Sequence, residues 1–158
     1  MKFRKFLQSV LFGGVSEKIS CHIKLAKKCK KFGCIKLGRF LHLRMQRYGV
    51  YISEKAEIAD SVKFPHPIGV VIGEGVVIGK NVKIFQNVTI GGARIGDVRA
   101  GRYPTVSDGV VIFAGAVIVG EITIGENSII GANAVVVRNV PPFSTCVGVP
   151  GRVTPRKC

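Results

Sequence analysis

The chain has no tryptophan, two methionines, and nine acidic residues against 24 lysines and arginines. All six leucines lie at or before Leu43. A leucine-built helical core is therefore excluded for the remaining two thirds. No apolar run reaches the roughly 18 residues of a membrane span. The five cysteines (Cys21, Cys29, Cys34, Cys146, Cys158) are odd in number and form no CxxC pair, so neither a disulfide scaffold nor a zinc ribbon follows from them. They fit a reducing, cytoplasmic compartment. Gln8 and Ser9 interrupt the weak apolar stretch at 6–15, and no small-residue cleavage site follows it.

The rest of the sequence is ordered by a period of six. Ile72, Ile78, Ile84 and Ile90 form one run of evenly spaced aliphatics; Val106, Ile112, Ile118, Ile124, Ile130 and Val136 form another. Six is the period of neither an α-helix nor a flat strand. It suits a coil that turns a corner every six residues and closes a triangle every eighteen. Three residues after each anchor stand Gly75, Asn81, Asn87, Gly109, Gly115, Glu121, Asn127, Asn133 and Asn139. Gly and Asn enter the left-handed backbone region at least cost, so most of these positions are chemically fit for corners. The pattern predicts a mainly β fold of stacked coils, with anchors pointing inward and coils pairing as parallel strands, and it resembles the signature of the left-handed parallel β-helix.

Charge divides the chain. Residues 1–48 carry 13 basic residues and one acid, Glu17; residues 49–158 carry 11 basic and eight acidic residues. Helical spacing is visible at Phe3, Phe6, Leu7, Val10 and Leu11, then at Ile19, Ile23 and Ala26, then from Ile35 to Tyr48. The expected organisation is a basic helical segment (1–48), a coil domain (49–142) and a tail (143–158). Two breaks interrupt the coil. Phe64 to Ile72 is a step of eight, which inserts two residues at Pro65-His66-Pro67. Residues 91–105 are too long for a corner and should protrude as a loop.

His66 is the one histidine of the coil domain. Flanking prolines stiffen its backbone, and the insertion should push its side chain out of the wall. An imidazole so placed is a candidate general base near neutral pH, or else a surface histidine in a kinked corner.

The stretch Phe64-Pro65-His66-Pro67-Ile68-Gly69-Val70-Val71-Ile72-Gly73-Glu74 resembles the active-site segment of serine acetyltransferases. Asn87-Val88-Thr89-Ile90-Gly91-Gly92 and the end from Val140 to Val153 resemble the same family, and the likeness runs over roughly residues 20–155. The resemblance implies a homotrimer with sites between neighbouring prisms, acetyl-CoA as co-substrate, no metal, and His66 as catalytic base. Ala114-Gly115-Ala116 and Gly131-Ala132 would let CoA approach matching corners; Arg138 and Arg152 would meet its phosphates. Arg94, Arg99 and Arg102 of the loop would anchor an anionic acceptor or CoA phosphates.

Three positions depart from that family. Its acid that orients the histidine aligns with Tyr51, the acid before the histidine with Pro65, and a loop histidine with Tyr103. Those groups help hold serine, so the expected acceptor is a hydroxyl of a sugar or polysaccharide unit, with serine as the alternative.

Other readings are a zinc carbonic anhydrase on the same fold, a nucleic-acid binder suggested by net charge, and a non-catalytic structural solenoid. Two of the three histidines (His22, His42) lie in the helical segment, against the first. No nucleic-acid motif occurs, against the second. The insertion at His66 argues against the third. Residues 1–48 read either as a basic cap packed on the prism with solvated lysines or as a segment in peripheral contact with the inner membrane surface, which is compatible with catalysis.

Overall fold

The computed structural model describes residues 14–156. The expected helical face at residues 3–11 and Cys158 lie outside them. Two helices come first, α1 (Val15–Lys31) and α2 (Ile35–Gln46). They meet through Ala26, Cys29 and Leu41. Ile19 and Ile23 of α1 and Met45 of α2 join the same core as Val50 and Ile52, so the pair caps the open end of the β domain.

That domain is a three-walled prism. Wall one stacks Tyr51–Ile52, Val71–Ile72, Thr89–Gly91, Val117–Val119 and Val135–Val136. Wall two stacks Glu57–Ile58, Val77–Ile78, Thr105–Val106 and Thr123–Ile124. Wall three stacks Lys83–Ile84, Val111–Ile112, Ile129–Ile130 and Ser144–Val147, then the antiparallel Arg152–Pro155. This is the left-handed β-helix whose signature the six-residue pattern resembles. None of the ten anchors is more than 2% exposed. Burial of each such aliphatic side chain contributes roughly 1.5–3 kcal/mol, which is why the anchor phase fixes the register.

The register also counts the insertions. Ile72 pairs with Ile90 and Val106 with Ile124, eighteen residues apart. Ile52 pairs with Ile72 and Ile58 with Ile78, twenty apart, so the two extra residues lie on the coil that carries His66. Ile90 pairs with Ile118 across twenty-eight residues, so the second break adds ten residues outside the ladder.

Asn81, Asn87, Asn127 and Asn133 have φ between 54° and 58°, and Gly75, Gly109 and Gly115 lie between 70° and 72°. These are the expected left-handed corners. Two expected corner residues differ. At Glu121 the left-handed residue is Gly120 (φ 98°), whose N–H donates to Gly91 O at 3.1 Å; the corner is reshaped where it meets the base of the loop. Asn139 instead uses its side chain, with Oδ1 accepting the Thr123 N–H at 2.9 Å.

Wall three continues past Pro141-Pro142. Thr145 pairs with Ile129 and Cys146 with Ile130. The prolines sit at a corner, where their missing N–H groups are not needed, and Pro141 O accepts the Ser128 hydroxyl at 2.8 Å.

Candidate active site

His66 stands on the edge between walls three and one. It is exposed, whereas Pro67 beside it is buried, so the insertion turns the imidazole outward while the second proline anchors the kink. The corners below it stack in a column. Asn87 N–H donates to Ile68 O (2.8 Å), Gly115 N–H to Gln86 O (3.0 Å), and Asn133 N–H to Ala114 O (2.9 Å). His66, Ala114, Gly115, Gly131 and Ala132 therefore share one edge, although the sequence separates them by up to 66 residues.

Two side chains not anticipated from sequence complete this edge. The His66 ring lies 6.2 Å from that of Phe85, and Phe85 stacks on Phe113 at 5.2 Å with planes 17° apart. Both phenylalanines directly follow an anchor, Ile84 and Ile112, so strand alternation turns them outward. An aromatic at that outward position was the available signal. Among the described residues no hydrogen bond holds either nitrogen of His66.

The edge is lined by small residues, with one exception to the expectation. Ala116 is fully buried, points into the prism, and has its N–H on Phe113 O and its C=O on Thr89 N–H. It offers a ligand nothing, because the third residue of this corner is the inward one. Gly115 has no room for a side chain: a Cβ would lie 2.0 Å from Asn133 Oδ1. Arg152 pairs with Val147 at the last coil of the same edge, whereas exposed Arg138 follows wall one to the opposite edge.

The 91–105 loop leaves the edge between walls one and two. Its organiser is Asp97, 6% exposed, whose Oδ2 accepts the N–H of Ala93 (2.8 Å) and of Arg94 (2.7 Å). Asp97 opens the short helix α3 (Asp97–Ala100), and its carbonyl accepts Arg102 N–H at 3.1 Å. As the lone acid of the loop it was a readable turn signal. Arg94, Arg99 and Arg102 are exposed, and Arg102 Nε lies 3.9 Å from Glu121. Within one chain these arginines are not brought to His66; wall one stands between the two edges.

Tyr103 folds back on its own prism. Its ring covers Gly75, where a Cβ would meet it at 2.5 Å. Its hydroxyl is buried with no hydrogen-bond partner among the described residues. Burial, then the Glu74 carboxylate, push its pKa up; Lys55, ion-paired with Glu74, acts in the other direction. Tyr51 is half exposed at the start of wall one, with its N–H on Val70 O, and opens the coil that carries His66. A cavity of about 760 Å³ lies elsewhere, between the helix pair and the first coils, lined in part by Ile23, Lys30, His42, Ile52 and Glu57. His42 Nδ1 is buried there with no partner among the described residues, and burial is the largest of the effects that lower its pKa.

Comparison with known proteins agrees with this architecture. The family described as bacterial transferase hexapeptide (six repeats) matches residues 103–138. The serine acetyltransferase of Mycobacterium tuberculosis is 52% identical over 105 residues, 66% of this chain and 45% of that protein. That of Bacillus subtilis is 49% identical over 105 residues, 66% and 48%. The chain thus spans about half the length of the curated relatives it matches. Among solved structures, soybean serine acetyltransferase complexed with serine superposes with a TM-score of 0.82 at 37% identity, covering 92% of this chain and 59% of that one. A serine acetyltransferase in complex with CoA gives 0.79 at 33%, covering 93% and 60%.

Proposed function

We propose that this left-handed hexapeptide-repeat chain is an acetyl-CoA-dependent O-acetyltransferase with His66 as its general base. The observation that carries the reading is the single edge on which an outward imidazole, two stacked phenylalanines and a run of small corners converge. The small corners admit a pantetheine chain close to backbone, and the phenylalanines give it an apolar wall. The likeness to a CoA-bound serine acetyltransferase supports the same ligand.

The chemistry is compact. A nitrogen of His66 takes the proton of the acceptor hydroxyl as its oxygen attacks the thioester carbonyl. The C–O bond forms, the C–S bond breaks, and the imidazolium returns its proton to the departing CoA sulfur.

The acting unit is a homotrimer. The outward face of wall one carries Tyr51, Val71, Thr89, Val117 and Val135, an uncharged strip flanked by the His66 edge and the loop edge. Packing that face about a threefold axis sets the His66 edge of one protomer beside the loop edge of its neighbour. Arg94, Arg99, Arg102 and Arg138 then border a site they cannot reach within one chain. Guanidinium groups there suit CoA phosphates or an anionic acceptor.

Serine is the first acceptor to test, because relatives of about half-identical sequence carry that name. A second reading, a sugar hydroxyl, is favoured by Tyr51, Pro65 and Tyr103, which place no carboxylate to hold an ammonium group. The experiment is release of free thiol from acetyl-CoA over serine and a panel of sugars. Turnover with serine alone supports the first reading, turnover with sugars the second; no turnover above hydrolysis with any hydroxyl acceptor rejects both.

A further inference from the structure

We propose that the outer face of α2 is a docking surface for an anionic lipid bilayer. The helix has two unlike sides. Gly38, Leu41 and Met45 are buried against α1 and the prism. Leu37, Phe40 and Leu43, spaced at i, i+3 and i+6, are 48%, 54% and 54% exposed. Lys36, Arg39 and Arg44 are exposed along the same helix and Arg47 at its C-cap, with the Arg44 guanidinium 5.9 Å over the Phe40 ring. Phe32, 76% exposed, stands in the turn that leads into α2. From Lys18 to Ser53 there are ten lysines and arginines and no acid.

Charge decides what this face meets. A second copy docking through the same face would set like charges against like, and the prism carries no compensating acidic excess, with 11 basic and eight acidic residues from 49 onward. Nucleic acid would satisfy the charge but not the leucines, which cannot stack on bases. An anionic bilayer satisfies both, because basic groups meet headgroups while Leu37, Phe40 and Leu43 enter the acyl boundary. No helix of the described residues is long and apolar enough to cross a membrane, so the contact is peripheral. In the proposed trimer the threefold axis puts all three copies of the face at one end, where they bind together.

The test is flotation of the full chain with vesicles of phosphatidylglycerol and phosphatidylcholine in equal parts, and with phosphatidylcholine alone. Wild type is expected to float with the anionic vesicles and to be released by high salt. A Leu37→Gln/Phe40→Gln/Leu43→Gln variant is expected to bind about tenfold more weakly. These side chains are exposed, so its melting temperature and thiol-release rate should match wild type. Arg44→Gln/Arg47→Gln provides an independent loss through charge. The proposal is overturned by wild type that stays with neither vesicle, by variants that float as wild type does, or by a larger assembly in solution that the triple variant dissolves while vesicle binding is absent. None of these outcomes touches the acetyltransferase reading, which thiol release tests separately.

Discussion

His66 and Phe85 face one another across a coil step, ring centres 6.2 Å apart, on the outer side of the prism. Phe85 is in turn held by Phe113 at 5.2 Å, so the imidazole stands at the end of an aromatic ladder built on two anchors.

Removing the middle ring should loosen the imidazole without harming the fold, because Phe85 faces outward. Aromatic pairs contribute about 0.5–1.5 kcal/mol beyond area burial. We expect Phe85→Ala to lower kcat/KM by about tenfold with acetyl-CoA, roughly 1.4 kcal/mol of transition-state stabilisation. Steady-state kinetics and a melting curve check this. An unchanged kcat/KM would remove Phe85 from the site.

Gly115 sits at φ 72° with Asn133 Oδ1 where a Cβ would go. Gly115→Ala should destabilise by about 1–2 kcal/mol from the left-handed backbone alone, with the clash added. Asn133→Gly keeps the corner conformation and removes the obstructing oxygen. The double variant should therefore recover the clash part but not the backbone part, a coupling that urea denaturation of the four-member cycle measures.

Tyr103 gives an alkaline signature. Its raised pKa means that the folded state disfavours the phenolate, chiefly through burial of the hydroxyl. The associated stability is full below the unfolded tyrosine pKa of about 10 and is lost as pH rises through the folded value. Tyr103→Phe should match or exceed wild type in stability at neutral pH, because the hydroxyl it deletes has no partner among the described residues. It should also lack the loss above about pH 10 attributable to this group. Urea denaturation at neutral and alkaline pH reports both.

Much of the fold was legible because anchors repeat in one phase. Ile72, Ile90, Ile118 and Val136 stack in the order their spacing requires, and the two interruptions keep their lengths. The corners at Glu121 and Asn139 were not legible. Gly120 took over one where its N–H bonds Gly91 O at the loop base, and the side chain of Asn139 replaced a backbone turn at the other. The outward placement of His66 was readable from the insertion and its prolines. Its neighbours Phe85 and Phe113 were not singled out, because an anchor-centred reading looks inward. Ala116 shows the converse: its small size suggested an open corner, but its place in the six-residue frame faces the core. The separation of His66 from the loop arginines follows from which wall lies between them, a relation that only the assembled triangle displays.

The most direct test of the account is His66→Ala, assayed by thiol release from acetyl-CoA with the best acceptor of the panel. Loss of a general base should lower kcat by roughly 10²–10⁴ while the melting temperature holds, since the ring is exposed. A folded His66→Ala protein that turns over at the wild-type rate would contradict the assignment of this edge as the catalytic one.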